Sequence, residues 1–364
     1  MRVERLQLRD FRNYEAAELE LPQGLVVVAG PNGAGKTNLV EAAYFGCTAR
    51  SPRTSNEREL VRRGAAVARV VVDTLGDDAA HRLEVGLEPG QPKRVKVDGS
   101  SVDGVPDDRV RPLLSVFLPE RLELVKGAPS ARRAHLDQVV AALWPARADA
   151  RSAYSRALAQ RNALLGRIRA GASGPGALDT WDRELARHGM CLMQDRAEAV
   201  EGLHLPFARL AERLGLPERA ELRYRPRSAA SDAAGLVAEL EERRAADLER
   251  GFTAHGPHRD ELTFLHGDAS LRAYGSQGQQ RIALLALLFA ERELLSDRRG
   301  RAPMMLLDDV MSELDHERRE LLAGLLRSGG QAVVTATEAD HVPDVDGDEL
   351  VRVSTGTVLG PVVA

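Results

Sequence analysis

Cys47 and Cys191 are the only two cysteines in this 364-residue chain. They stand far apart with no CxxC or Cys/His spacing, which gives no basis for a disulfide framework or a zinc site and predicts two small core residues. Aromatic residues make up only 4% and do not interleave with charge, so a base-stacking groove for single-stranded nucleic acid is not expected. Lysine is nearly missing: the 50 basic residues comprise 46 arginines and only Lys36, Lys93, Lys96 and Lys126. Where arginine meets almost every cationic need, a retained lysine is informative, because a compact ammonium and a planar guanidinium are not interchangeable in tight sites. No apolar run is long enough to cross a bilayer, and the charged, alternating opening MRVERLQLRDF is unlike a secretory signal, so the cytoplasm is the expected compartment and no membrane partner is expected. The net charge of −4 argues against coating nucleic acid by bulk positive charge and confines any such contact to local patches.

What is present is an ordinary globular composition, 43% hydrophobic and 29% charged. The length suggests about two domains, or one domain carrying a large insertion. Alternation predicts strands near 2–8 and 15–21, and the run LVVVA predicts a buried strand at 25–29. Further alternating stretches at 67–74, 81–87 and 92–98, the last ending in the turn signal Asp98-Gly99, read as a small antiparallel β flank. From about 130 to 250 the pattern becomes helical, with a Gly/Pro/Ser break at 171–176 separating two helices. Strand and helix then alternate again: helix 277–295, strand 303–308, helix 316–326, strand 331–336. One α/β sheet assembled from both ends of the chain is expected, with a helical lobe inserted between them. The expected organisation is 1–128 and 251–364 as the two parts of a head, and 129–250 as a compact arm of about 30 to 45 Å.

Residues 30–37, GPNGAGKT, fit G-x-x-x-x-G-K-[ST] directly after a buried strand and at the start of a helix. Gly30, Gly33 and Gly35 let the backbone of Gly30, Pro31, Asn32, Gly33, Ala34 and Gly35 curl so that its N–H groups face phosphate oxygens. The helix N-terminus adds partial positive charge, Lys36 reaches the β/γ-phosphates, and Thr37 can ligate Mg²⁺. The plainer alternative is a Gly-rich turn with an exposed lysine. At 304–315, MMLLDDVMSELD reads as an apolar strand ending in two carboxylates: Asp308, placed to hold Mg²⁺ through water, and Asp309, placed as general base or water-orienting group. Aspartate is one methylene shorter than the glutamate found at many such sites, so slow hydrolysis is expected. Gly275-Ser276-Gln277-Gly278-Gln279-Gln280 before an apolar helix forms another anion-binding concavity through Ser276, Gly278 and Gln279, or else an N-cap and turn before a core helix.

The opening LQLRDFRNYEAAELEL with GPNGAGKTNLVEAAYF resembles the RecF and SMC-like ATPases. PERLELVKGAPSARRAHLD (119–137), AHGPHRDEL (254–262) and LLDDVMSELDHERRELL (306–322) resemble the RecF family in particular. The resemblance is weakest in the helical insertion. It implies an α/β ABC-type P-loop ATPase head, a mixed sheet with an antiparallel β flank, carrying an inserted mainly α-helical lobe. It also implies ATP and Mg²⁺ as cofactors and an ATP-dependent homodimer in which the serine signature closes over the partner's triphosphate. Implied partners are double-stranded DNA and single-strand/double-strand junctions and the RecO and RecR mediators, with roles in recombinational repair, replication restart and SOS induction. By the same resemblance Arg12 and Asn32 contact nucleotide, and Ser312, Glu313 and Asp315 form a loop crossing the dimer interface. Two departures stand out: no glutamine lies near Ser115 where a Q-loop would have one, and Ala336 or Thr337 stands where a switch histidine would follow Thr335.

For DNA, the candidates are the cluster at 50–63, with Arg50, Arg53, Arg62 and Arg63, the group Lys93, Arg94 and Lys96, and the pair Arg132 and Arg133; solvated arginine faces are the competing reading. His255 and His258 lie three apart near Asp260, but the intervening Gly256-Pro257 argues for a tight turn rather than a metal site. Competing functions are the ATPase subunit of an ABC transporter, an SMC-type scaffold and a small-molecule kinase. The nearly 240 residues between Thr37 and Ser276 exceed a compact transporter head, the insertion is short for a chromosome-organising rod, and a kinase leaves the serine signature unexplained.

Overall fold

The computed structural model describes residues 1–76, 79–216 and 219–359. The chain divides into two compact units, one formed by Met1–Arg121 with Leu295–Ala364 and the other by Leu122–Leu294.

The first unit opens with β1 (Arg2–Phe11), β2 (Tyr14–Glu20), β3 (Leu25–Ala29) and α1 (Lys36–Thr48), followed by β4 (Ala68–Leu75), β5 (Ala80–Leu87), β6 (Arg94–Val97), β7 (Ser100–Val102) and β8 (Leu114–Phe117). The second unit holds α2 (Glu123–Lys126), α3 (Pro129–Leu143), α4 (Asp149–Arg169), α5 (Leu178–Arg213), β9 (Ala220–Arg225), α6 (Ala233–Glu242), α7 (Arg244–Arg250), β10 (Glu261–His266), β11 (Ala269–Ser270) and α8 (Leu271–Tyr274). Helix α9 (Gln277–Arg299) begins in the second unit and ends in the first. The first unit closes with β12 (Met304–Leu307), α10 (His316–Arg327), β13 (Ala332–Ala336), β14 (Glu349–Ser354) and β15 (Thr357–Leu359).

Two sheets make the first unit. The mixed sheet runs β15-β14-β3-β13-β12-β8, with β14, β3, β13, β12 and β8 mutually parallel and β15 antiparallel at the edge. Its strands come from both ends of the chain, as expected, and β3 is apolar at every position because neighbours and layers cover both of its faces. The antiparallel flank runs β2-β1-β4-β5-β6-β7. Asp98 and Gly99, both at positive φ, form the tight turn joining β6 to β7. Val26 and Val28 of β3, Leu39 and Phe45 of α1, and Val70 and Val72 of β4 share one core, so α1 is held between the sheets.

The second unit is helical, as its periodicity predicts, but it also contains a three-stranded antiparallel sheet in the order β11-β10-β9. Helix α5 alone has 36 residues, about 54 Å at 1.5 Å per residue, longer than the arm expected from several shorter helices. By their contacts residues 251–294 pack with this unit, whereas the sequence reading counted them with the head. Cys47 is buried as expected, but Cys191 is exposed. It falls on the outer side of α5, between the buried faces that carry Gly189, Met190, Leu192 and Met193. Among the described residues no helix is long and apolar enough to cross a membrane.

Candidate nucleotide site

The strand β3 ends at Ala29 and the chain turns at once into the glycine loop. Gly30 donates its N–H to the Ala336 carbonyl at 3.2 Å, and a Cβ there would lie 2.2 Å from the backbone oxygen of Val353. Only glycine lets the loop leave the sheet between β13 and β14 at this point. Gly35 has φ 117° and caps α1 without a side chain, and while Asn38 N–H donates to the Gly35 carbonyl, the N–H groups of Lys36 and Thr37 are left for an external acceptor. A Cβ on Gly35 would also meet Asn13 and the Tyr14 hydroxyl at 2.7 Å.

Lys36 is buried, with its ammonium donating to the carbonyls of Gly30 (2.7 Å) and Pro31 (3.1 Å) inside the loop. Burial lowers its pKa, while the charges of Asp308 and Asp309 oppose that shift. The lysine head and both carboxylates therefore share one electrostatic site. Asp308 follows the last residue of β12 and is 5% exposed. Its Oδ2 accepts from the Thr37 hydroxyl at 2.7 Å and its Oδ1 from the Thr335 hydroxyl at 2.7 Å. Burial raises the Asp308 pKa against these two hydrogen bonds. A buried carboxylate bonded by neutral hydroxyls, beside a threonine oxygen with lone pairs to offer, is a donor set that suits a hard divalent cation. Asp309 sits at φ 48°. Its N–H donates to Thr335 Oγ1 at 2.9 Å, and its carbonyl accepts from the Ser312 hydroxyl at 3.1 Å.

The structure thus brings together Gly30, Gly33, Ala34, Gly35, Lys36, Thr37, Asp308 and Asp309, with Pro31 and Asn32 exposed on the loop. Arg12 lies on the turn after β1 and makes a double hydrogen bond to Glu41, 2.8 Å at each oxygen. Ser276, Gly278 and Gln279 belong to the second unit. Ser276 Oγ accepts from the Gln279 N–H at 3.2 Å and Gln279 Oε1 accepts from the Ser276 N–H at 2.9 Å, a reciprocal cap that fixes the start of α9. Ser276, Gln277 and Gly278 are exposed. Asp315 caps α10 through the Arg318 N–H, and Ser312 and Glu313 are exposed before it.

Several basic candidates have prior commitments. Arg132 is 3% exposed, pairing with Glu261 and with carbonyls of Leu124, Val125 and Gly127. It closes the turn before α3, which corrects its reading as a phosphate-contacting residue. Arg133 is bound to the Asp260 carbonyl. Arg53 is drawn to Glu41 and Asn38, Arg62 to Asp10, and Lys93 to the Ala49 carbonyl and Glu57. Arg50, Arg63, Arg94 and Lys96 are exposed. Gly86 stands between Arg69 and Arg94 in the cross-strand row of β4, β5 and β6. It lines a cavity of about 330 Å³ together with Arg69, Arg94, Lys96, Glu84 and Glu88.

His255 and His258 do not converge: His255 pairs with Glu239 on α6, and His258 with Tyr154 on α4.

Sequence reasoning missed Glu41, Asn13 and Thr335. Glu41 is fully buried on α1 and accepts from Arg12, Ser51 and Arg53. A carboxylate inside an otherwise apolar helix face was the available signal. Asn13 ties the Ala34 carbonyl to Asn38. Thr335 announced itself only as a polar residue in the apolar strand AVVTA.

A phosphate loop after a central strand of a mostly parallel sheet, facing an acid-tipped strand one place beyond its neighbour, defines the class: a P-loop ATPase head. Residues 2–358 match the family described as RecF/RecN/SMC N terminal domain. The chain is 39% identical to the DNA replication and repair protein RecF of Streptomyces avermitilis, over 98% of this chain and 99% of that one. It is 38% identical to RecF of Herpetosiphon aurantiacus, over 93% and 94%. The solved structure of the recombination mediator protein RecF with ATP, from the RecFOR pathway, superposes with a TM-score of 0.89 at 29% identity, over 98% of this chain and 96% of that one. An Smc head bound to the C-terminal winged-helix domain of ScpA shares the fold, with a TM-score of 0.58 at 16% identity, over 98% of this chain and 96% of that one. The chain belongs to the RecF/RecN/SMC N-terminal domain family, and within it to the RecF proteins. The two RecF relatives are DNA replication and repair proteins, not transporter subunits.

Proposed function

We propose that this chain binds ATP with Mg²⁺ and uses it to pair two copies head to head on double-stranded DNA during recombinational repair. The RecF relatives are DNA replication and repair proteins, and the structurally similar RecF is an ATP complex of the RecFOR pathway. The observation that carries the reading is the 2.7 Å bond between Thr37 and Asp308, residues 271 apart in sequence. It joins a hydroxyl at the head of the phosphate loop to a buried carboxylate, the pair a triphosphate with its cation requires.

In this reading the loop N–H groups from Gly30 to Thr37 and the Lys36 ammonium bind the phosphates, and Arg12 and Asn32 contact the nucleotide. Thr37 and Asp308 would hold Mg²⁺, which when bound neutralises phosphate charge. Asp309 orients the attacking water and takes its proton; its short reach makes hydrolysis slow, which suits a switch. Ser276, Gly278 and Gln279 of a second copy close over the γ-phosphate, and Ser312, Glu313 and Asp315 line the interface. DNA lies on exposed basic residues, Arg50, Arg63, Arg94 and Lys96, at gaps and single-strand/double-strand junctions. RecO and RecR are the mediators served, in support of replication restart and SOS induction.

Sizing by light scattering with ATP, with ADP and without nucleotide tests the core of this. Dimers are expected only with ATP; Lys36→Ala should not bind ATP, and Ser276→Arg should bind it yet stay monomeric. Normal ATP-driven dimerisation of Ser276→Arg would refute the composite site.

A further inference from the structure

Strand β13 lies between β3 and β12 in the mixed sheet, and its tip meets both halves of the nucleotide site. The Ala336 carbonyl receives the N–H of Gly30, the first residue of the phosphate loop. One residue earlier, Thr335 is fully buried. Its single hydroxyl proton goes to Asp308 Oδ1 at 2.7 Å, and its oxygen accepts the Asp309 N–H at 2.9 Å.

Valine would fill this place in the strand equally well by shape and by β propensity. A hydroxyl buried in an apolar strand costs free energy unless it is hydrogen-bonded, and here both of its bonds go to the paired acids. Asp309 needs such help. It holds a left-handed φ of 48°, a conformation that is costly for a non-glycine residue and persists only when its surroundings fix it. Its peptide is pinned at the N–H by Thr335 and at the carbonyl by Ser312.

We propose that Thr335 is a positioning residue of the hydrolytic step: through one hydroxyl it holds the Asp309 backbone in its strained pose and the Asp308 carboxylate against Thr37. The chain of contacts Thr37, Asp308, Thr335, Asp309 links the group that meets the metal to the acid that meets water. The Thr335 hydroxyl is spent on Asp308 and Asp309 and leaves the phosphate loop to other groups, so it sets how fast a bound triphosphate is used, not how tightly it is held. Thr335 stands just before Ala336 and Thr337, where a switch histidine would follow, and gives the site a fixed internal tie there. This inference rests on the nucleotide-site reading above.

The test uses the full chain with Thr335→Val, Thr335→Ser, Asp309→Asn and Lys36→Ala. Affinity is read with a fluorescent ATP analogue and Mg²⁺, hydrolysis in single turnover, and dimer lifetime by light scattering. Thr335→Val should bind nucleotide within about threefold of the parent, hydrolyse about 10- to 100-fold more slowly, as for loss of a supporting hydrogen bond around a metal site, and keep its ATP-bound dimer longer, as is also expected of Asp309→Asn. Thr335→Ser, which restores the hydroxyl, should recover hydrolysis to within about threefold of the parent. If Val fails to fold, Thr335→Ala replaces it under the same criteria. Parental hydrolysis by the hydroxyl-free variant, equal impairment of Val and Ser, or a loss of affinity as deep as that of Lys36→Ala would each overturn the proposal. Undiminished nucleotide binding by Lys36→Ala would instead overturn the nucleotide-site reading itself.

Discussion

Glu41 shows how much a single residue can organise. It is 0% exposed, five positions after the loop lysine, and accepts from Arg12 at both oxygens, from Ser51 at 2.6 Å and from Arg53 at 3.1 Å. A buried carboxylate is tolerable only with such partners, and removing one member of a buried pair leaves the others uncompensated. Glu41→Ala should therefore destabilise the protein by about 3 kcal/mol, the lower end of the usual range, because Arg12 and Arg53 keep some contact with water. The check is the urea midpoint; a change below about 1 kcal/mol would make the cluster an ordinary surface ion pair. Arg12 and Arg53 were both legible as candidates, one for nucleotide and one for DNA. Their shared carboxylate was not, since positions 12, 41 and 53 meet only when β1, α1 and the following loop pack together.

At the scale of elements, the segment from Thr253 to Asp260 acts as a clamp for the second unit. His255 reaches Glu239 on α6, His258 reaches Tyr154 on α4, and Asp260 receives Arg196 from α5 and Tyr224 from β9. The sequence signalled a tight turn with two histidines but not their separate destinations. Burial holds His258 neutral, and in that form Tyr154 donates to Nδ1 and Nε2–H donates to the Thr253 carbonyl. Burial pushes its pKa down to about 4, with Arg259 and Arg133 adding to the shift and the Thr253 carbonyl opposing it. Between that value and the ordinary one near 6.5 the unfolded chain binds a proton that the folded chain refuses, so stability rises with pH across this window. The contribution is complete above about pH 6.5 and is lost as pH falls toward 4. Comparing the parent with His258→Gln by urea unfolding, the parent's advantage should shrink by at most about 2 kcal/mol between pH 7 and pH 5. An advantage independent of pH would mean that the histidine is not held neutral.

For the whole molecule, a net charge of −4 confines the proposed duplex binding to local basic patches. Of the basic candidates, Arg50, Arg63, Arg94 and Lys96 are exposed, whereas Arg53, Arg62 and Lys93 are engaged with carboxylates. Replacing Arg94 and Lys96 together by alanine should weaken binding to any duplex sequence and flatten the salt dependence, by a slope of about 0.9 per lost phosphate contact. Unchanged affinity with an unchanged slope would move the DNA surface elsewhere; a sequence-specific loss would count against backbone recognition.

The linear order of residues by itself determined the chemistry that is local. The glycine loop, its lysine and threonine, and the acid-tipped strand each need only a few consecutive positions, and a phosphate-binding loop must follow a strand and open a helix to work at all. The run LVVVA announced a strand covered on both faces, and the break at 171–176 announced two helices. What only the tertiary structure decided is what lies far apart in sequence yet must share a hydrogen bond: Thr37 with Asp308, Thr335 with both acids, Glu41 with its arginines, Arg132 with Glu261. Burial makes those pairings obligatory, because a polar group removed from water has to find its partner inside the fold, and no periodicity in the chain says which partner that will be.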